Sequence, residues 1–211
     1  GASAKVLDIG CGCGGLGLAL REKFGVTHYT GIEINETASA TARKLNPEAK
    51  ILTGDFLALD PSTLTNGGYD VVISLSCIDW NIGFTVMLPK AYALVKPGGR
   101  FVLSLRLTDG PTIDDPARSY QYINYAGEKE GEKANYVVLN AQELFARLHG
   151  LGVESISGFG FWGTPSVTAV TTVSRICFAV LMLHKGFTPA VAARLGNLRL
   201  PGEILALAGP A

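Results

Sequence analysis

The sequence has few of the residues that metal centres, disulfide frameworks and nucleic-acid surfaces require. Its 211 residues include 3 histidines and 4 cysteines, with no Cys-x-x-Cys pair that would suit zinc. Cys11 and Cys13 are too close for an ordinary disulfide, so we expect reduced thiols, a cytoplasmic enzyme and no metal. Lys plus Arg and Asp plus Glu number 18 each, so no basic surplus marks a nucleic-acid partner.

Long apolar runs are also absent. The longest, Ile176 to Leu183, is well below the ~20 residues that span a bilayer and is typical of a buried strand, so no membrane span is expected. Hydrophobic residues make up 47% of the chain and charged residues 17%, which is ample apolar material for one core. We therefore expect a single domain over residues 1–211, with its oligomeric state left open.

Short apolar runs alternate with helical stretches through the first two thirds of the chain. This pattern predicts an α/β fold, a three-layer sandwich around a doubly wound, mostly parallel sheet. Two later runs, 153–161 and 173–184, have no crossover helix between them, which favours an antiparallel last strand in a seven-stranded sheet. The five earlier predicted strands are Lys5 to Ile9, Tyr29 to Ile34, Ile51 to Thr53, Asp70 to Leu75 and Arg100 to Leu107.

Two segments break this alternation. Residues 108–135 are polar, contain prolines and glycines and show no period. A loop this long inside a compact domain is usually functional or mobile, so we expect an insertion that covers the substrate. The tail from Gly186 is apolar and proline-containing, and the sequence assigns it no role.

A glycine cluster follows the first predicted strand, in the segment VLDIGCGCGG. Gly10, Gly12 and Gly14 alternate there, and Asp8 precedes the first of them by two residues. Glycine lets the backbone turn sharply and approach a ligand, and the following helix directs N–H groups at it. Gly10, Gly12 and Gly15 also satisfy the dinucleotide pattern GxGxxG, so the glycines alone leave an NAD-binding Rossmann oxidoreductase open.

Acidic residues at the ends of the next two predicted strands narrow the choice of ligand. Glu33 lies 19 residues after Gly14, the spacing at which a carboxylate can accept both hydroxyls of a ribose. Asp55 is placed to accept from an adenine amino group, with Phe56 beside it to cover the ring. The alternatives are a helix N-cap for Glu33 and a solvated turn for Asp55.

With these features the sequence resembles the class I, Rossmann-like methyltransferases that depend on S-adenosylmethionine. The matching pieces are VLDIGCGCGG, GIEIN, TGDF, YDVVISLSCIDW and VKPGGRFVLS, in family order and spacing. The resemblance implies S-adenosyl-L-methionine as cofactor, with Glu33 on the ribose, Asp55 on the adenine amino group, and Ser74, Ser76 and Cys77 under the methionine chain. The full predicted cofactor set is Asp8, Gly10, Cys11, Gly12, Gly14, Glu33, Ile34, Asp55, Phe56, Ser74, Ser76 and Cys77.

The methyl acceptor should lie outside the carboxyl ends of the later strands. Aromatic residues there suggest an apolar wall that excludes water. Asp79 is the candidate general base, with helix capping as its alternative. The segment SCIDWN stands where methyltransferases that modify nucleic-acid bases or glutamine have Asn-Pro-Pro-Tyr, so we expect a small-molecule acceptor. The alternative is a protein that binds S-adenosylmethionine without catalysis. The predicted acceptor-binding residues are Trp80, Tyr120, Tyr122, Tyr125, Phe161 and Trp162.

Overall fold

The computed structural model describes residues 2–64, 68–124 and 126–209. Its helices are α1 (Gly15–Phe24), α2 (Glu36–Leu45), α3 (Phe84–Ala93), α4 (Ala141–Gly150) and α5 (Gly202–Ala206). Its strands are β1 (Lys5–Ile9), β2 (His28–Glu33), β3 (Lys50–Thr53), β4 (Tyr69–Ser74), β5 (Val95–Thr108), β6 (Tyr120–Tyr122), β7 (Lys133–Asn135), β8 (Leu139–Asn140), β9 (Ser155–Gly163), β10 (Ala169–Val170), β11 (Ile176–His184) and β12 (Arg194–Arg199).

Most strands form one twisted sheet in the order β12-β9-β11-β5-β4-β1-β2-β3, with the short β8 beside β5. Strands β1 to β5 pair in parallel, whereas β11 runs antiparallel to both β5 and β9. This confirms the predicted α/β fold and its antiparallel last strand. The count of seven strands was too low, because β8 and the tail strand β12 also join the sheet.

Helices cover both faces of this sheet and bury its central strands. On one face, Leu16 and Leu20 of α1 pack with Val6 and Tyr29 in a small apolar cluster. On the other, α3 and α4 pack on the main core, which includes Leu103 of β5. Burial on two faces explains why β1 and β4 read as continuous apolar runs. The carboxyl ends of β1, β2 and β4 meet at one edge of the sheet, where open α/β folds place their ligands.

The segment at 108–135, expected as a loop, contains strands. β6 and β7 pair with each other, and β10 from the later connection joins them in a second, antiparallel sheet. The N–H of Val137, just after β7, donates to the Asp79 carbonyl at 3.1 Å. The second sheet is therefore anchored beside the end of β4.

The tail packs against the main sheet. β12 runs parallel to β9, and the buried His149 of α4 binds the tail at two points. Its Nδ1 accepts from the Ala193 N–H at 3.1 Å, so its Nε2 must be the donor to the Ala208 carbonyl, also at 3.1 Å. None of the helices in the described residues has both the length and the apolar character to cross a bilayer.

Candidate active site

Two cavities adjoin at the carboxyl edge of the main sheet. The first, here called the glycine-loop cavity, has a volume of about 420 Å³ and is lined by Gly10, Glu33 and Asp55 among others. The second, here called the aromatic cavity, has a volume of about 410 Å³ and lies over the ends of β5, β9 and β11. Ser76 and Trp80 line both cavities. A ligand in one cavity would therefore approach a ligand in the other at these two residues.

The turn between β1 and α1 needs glycine for its conformation. Gly10, Gly12 and Gly14 have φ of +79°, +54° and +83°, a region that side chains other than glycine rarely enter. A Cβ on Gly10 would also lie 2.6 Å from the Sγ of Cys77, whereas one on Gly12 would meet nothing within 4 Å. Gly10 therefore permits close packing of the turn on the end of β4, and Gly12 leaves open space above the turn.

Glu33 links this turn to the start of α2. Its Oε2 accepts from the Gly12 N–H at 2.8 Å and its Oε1 from the Asn35 N–H at 2.8 Å. A carboxylate oxygen offers two lone pairs, so each oxygen retains one for a ligand hydroxyl. Asn35, not Glu33, caps α2, because its Oδ1 accepts from the Ala38 N–H at 2.9 Å. Glu33 is thus oriented by backbone donors at the wall of the glycine-loop cavity.

The outer end of the glycine-loop cavity is apolar on one side and acidic on the other. Ile34 lines it and is 68% exposed, which is unusual for a large apolar side chain. Phe56 contributes a buried ring, with Lys90 Nζ 5.1 Å from its centre, and this Nζ also donates to the Phe56 carbonyl at 2.8 Å. Asp55 is exposed, and its Oδ1 accepts from the Leu57 N–H at 2.9 Å. A flat polar ring would find apolar cover and a hydrogen-bond acceptor here.

Five residues of the predicted cofactor set do not line the cavity: Asp8, Cys11, Gly12, Gly14 and Ser74. The Asp8 carboxylate points to the α1 side and accepts from the Tyr29 hydroxyl at 2.6 Å. Cys11 packs in the apolar cluster under α1, and Gly14 is the N-cap residue of that helix. Ser74 is fully buried within β4. Strand alternation and helix packing direct the side chains of Asp8, Cys11 and Ser74 inward, so the cofactor contacts expected for these residues and for Gly14 stay predictions.

Burial raises the pKa of the Asp8 carboxyl to about 6, the Tyr29 hydroxyl lowers it, and the Glu33 charge raises it further. The folded state thus holds this proton more tightly than the unfolded chain, so Asp8 reduces stability as pH rises through about 6. Asp8→Asn keeps an acceptor for Tyr29 but cannot ionise. We expect its free energy of unfolding, relative to that of the parent, to be about 2 kcal/mol larger at pH 7.5 than at pH 4.5. Urea unfolding at both pH values measures this gain, and a pH-independent difference would contradict it.

The aromatic cavity contains a buried ion pair. Asp79, in the single turn of 3-10 helix Ile78–Trp80, accepts from Arg106 Nε at 2.8 Å, and both side chains are at most 6% exposed. The Arg106 guanidinium lies 4.5 Å from the Trp80 ring and 3.8 Å from the Tyr136 ring. Burial raises the pKa of the Asp79 carboxyl, and the Arg106 charge opposes that rise.

Arg106 was not predicted, and it changes how Asp79 is interpreted. The available signal was an arginine among leucines in β5, where a buried charge requires a partner. Asp79 does not cap a helix through its side chain, since its Oδ2 binds Arg106 and its Oδ1 has no partner among the described residues. We assign Asp79 first to holding Arg106 and leave its role as a base as a prediction.

Two of the predicted acceptor residues, Trp80 and Phe161, line the aromatic cavity. Trp162 does not, because alternation along β9 turns it to the opposite face, where its Nε1 donates to Glu203 at 3.4 Å. Trp162 is therefore not among the residues that the structure brings to this cavity.

The tyrosines of β6 do not line the aromatic cavity either. Tyr120 and Tyr122 face away from the aromatic cavity, with Lys133 Nζ at 4.3 and 5.2 Å from their ring centres. The residue between them, Gln121, lines the cavity instead. Tyr125 lies outside the described residues.

Ser76 has the one positive φ among the described non-glycine residues, at 50°. Its N–H donates to the Ser104 Oγ at 2.7 Å, which fixes the turn after β4 against β5. Sparsely populated backbone conformations cluster at functional sites, and Ser76 lies where the two cavities adjoin. The residues of the glycine-loop cavity that sequence reasoning missed include Asn81, Met87 and Asn135.

Comparison with known proteins identifies the domain. Residues 7–101 match the family described as "Methyltransferase domain". The chain is 28% identical over 104 residues to a trans-aconitate 2-methyltransferase of Delftia acidovorans, which covers 49% of the chain and 38% of the relative. It is 32% identical over 106 residues to a ubiquinone biosynthesis O-methyltransferase of Pseudomonas aeruginosa, covering 49% and 44%. The chain spans less than half the length of these curated relatives.

Solved structures share the fold over most of the chain. The N-terminal domain of EvdMO1 with SAH bound superposes with a TM-score of 0.63 at 18% identity, covering 86% of this chain and 74% of that one. A Burkholderia thailandensis 1,6-didemethyltoxoflavin-N1-methyltransferase, solved with its acceptor and S-adenosylhomocysteine, gives 0.59 at 20% identity, covering 87% and 71%. The domain match, the curated relatives and the fold agree: residues 7–101 are similar to a methyltransferase domain, and the chain shares the fold of structures that bind S-adenosylhomocysteine.

Proposed function

We propose that this chain transfers a methyl group from S-adenosylmethionine to a small organic acceptor. The observation that carries the proposal is the pair of adjoining cavities, of about 420 and 410 Å³, which share Ser76 and Trp80. A transferase needs two ligands whose reacting atoms are held in line, and two such cavities supply that arrangement. A protein that only binds the cofactor has no need of the second cavity.

The residues of the glycine-loop cavity suit S-adenosylmethionine. Glu33 keeps one lone pair on each oxygen for the two ribose hydroxyls, and its orientation is set by the Gly12 and Asn35 N–H groups. Ile34 supplies an exposed apolar surface for adenine, and Asp55 an acceptor for its amino group. The cofactor supplies an electrophilic methyl group on a sulfonium.

The aromatic cavity suits an organic acceptor. Trp80, Phe159 and Phe161 give it apolar walls that exclude water from the methyl group. The second sheet also contributes to the cavity wall, through Gln121 of β6 and through Tyr136, which directly follows β7. We propose that the segment 108–135 serves as a substrate cover within a single domain over residues 1–211. Positioning is then the main catalytic contribution of the chain, with Asp79 holding Arg106 in place.

Calorimetry tests the proposal directly. We expect S-adenosylhomocysteine to bind with a stoichiometry of about one site per chain, since one glycine-loop cavity fits the cofactor. NADH should produce no binding heat, because this family match favours the methyltransferase over the oxidoreductase that GxGxxG left open. Binding of NADH in preference to S-adenosylhomocysteine would contradict the proposal.

A further inference from the structure

The aromatic cavity contains polar atoms that the protein leaves unpaired. Within the described residues, Arg106 Nη1, Trp80 Nε1 and Asp79 Oδ1 are buried and have no hydrogen-bond partner. All three residues line the cavity. Buried polar groups are normally paired, because an unpaired one loses its hydration without compensation. Two donor atoms and one acceptor atom, all on residues that line this cavity, suit a ligand edge that both accepts and donates hydrogen bonds.

The charge of the cavity wall is balanced. Arg106 and Asp79 are the charged residues that line the cavity, and they neutralise each other across 2.8 Å. An anionic acceptor would bring an uncompensated charge into an apolar site, which is costly. A cationic acceptor would gain little from Trp80 and Tyr136, because the Arg106 guanidinium already lies against both rings. The wall therefore favours a neutral ligand.

Aromatic side chains on neighbouring strands form one part of the cavity wall. Phe178 of β11 pairs in register with Phe161 of β9, with ring centres 6.0 Å apart, and with Arg106 of β5. Phe161 and Phe159 remain 59% and 55% exposed, so their rings are open to a further contact. Aromatic rings in such a row are suited to an offset-stacked or edge-to-face contact with another flat ring.

We infer that the aromatic cavity selects an electrically neutral, planar aromatic acceptor that carries a hydroxyl group. The hydroxyl faces Arg106, Asp79 and Trp80, where it both accepts and donates hydrogen bonds, while the ring packs on Phe161 and Phe159. This inference rests on the proposed function and narrows it to a substrate class. It separates this chain from its trans-aconitate 2-methyltransferase relatives, whose named substrate is a polycarboxylate.

Three naphthalene probes that differ in charge test the inference. Calorimetry compares 2-naphthol, 2-naphthoate and 2-naphthylmethylammonium at pH 7, each with and without saturating S-adenosylhomocysteine. We expect 2-naphthol to bind about tenfold or more tightly than either charged probe, because only the neutral probe leaves the ion pair balanced. Equal or tighter binding of 2-naphthoate, or no binding of 2-naphthol, would overturn the inference.

A matched pair of phenylalanine variants locates the binding site. Phe161→Ala should weaken 2-naphthol binding about fivefold or more, since it removes a stacking ring. Phe187 is 85% exposed and does not line the cavity, so Phe187→Ala should leave the affinity for 2-naphthol unchanged. Unchanged binding in Phe161→Ala would overturn the inference. If the chain binds S-adenosylhomocysteine but does not bind 2-naphthol, the substrate class alone is refuted. If the chain does not bind S-adenosylhomocysteine, the proposed function is refuted.

Discussion

Replacing Asp79 with asparagine is expected to lower the free energy of unfolding by about 3–5 kcal/mol, because it leaves the Arg106 charge buried without its partner. The two side chains are at most 6% exposed, and Nε lies 2.8 Å from Oδ2. The Val137 N–H also donates to the Asp79 carbonyl, so the second sheet is anchored at the residue that holds this pair. Urea unfolding of the parent and the variant measures the loss.

An exposed pair elsewhere in the chain provides the control. Asp109 accepts from Arg175 at 2.8 Å, but these side chains are 38% and 49% exposed. Asp109→Asn should therefore cost less than about 1 kcal/mol. Removing both buried charges together, in Asp79→Leu with Arg106→Met, should restore most of the stability lost in Asp79→Asn. Equal, small losses for Asp79→Asn and Asp109→Asn would show that the pair is not buried as described.

Replacing Glu33 with alanine is expected to weaken binding of S-adenosylhomocysteine by about 1–3 kcal/mol, or roughly 5- to 150-fold. Glu33 is held by two backbone donors, each at 2.8 Å, so the carboxylate is preorganised for the ribose. The variant removes two charge-assisted hydrogen bonds to the ligand and also the restraint on the Gly12 turn. Calorimetry at one salt concentration measures the change in affinity.

The neighbouring Glu36 separates the specific contact from the change in charge. Glu36 is exposed in the first turn of α2 and does not line the glycine-loop cavity. Glu36→Ala alters the net charge as Glu33→Ala does, yet it should leave the affinity unchanged. If the two variants bound S-adenosylhomocysteine equally well, the ribose assignment would be refuted.

The glycine-loop cavity was the part of the site that sequence could predict. Glu33 ends β2 and Asp55 follows the end of the neighbouring parallel strand β3, and the carboxyl ends of such strands meet at one edge of the sheet. The positive φ of Gly10 and Gly12 likewise follows from the need for a sharp turn after β1. Residues at the ends of the parallel strands and in the glycine turn could therefore be predicted from their spacing in the sequence.

The aromatic cavity depends on side-chain pairing, which spacing does not reveal. Arg106 binds Asp79 from a strand 27 residues further along the chain, and no local pattern couples the two. In the tyrosine-rich segment, the register of β6 determines which side chains face the cavity. A shift of one position in this three-residue strand would turn Tyr120 and Tyr122 toward the cavity and Gln121 away from it. The tail strand β12, RLGNLR, lacks the continuous apolar character of a buried strand, so its pairing with β9 gave no sequence signal.

A crystal structure of the chain with S-adenosylhomocysteine would show whether the cofactor lies in the glycine-loop cavity. We expect both ribose hydroxyls within hydrogen-bonding distance of the Glu33 carboxylate, and the sulfur directed toward Ser76 and Trp80, where the cavities adjoin. Density for the ligand elsewhere, or a sulfur that faces away from the aromatic cavity, would contradict it.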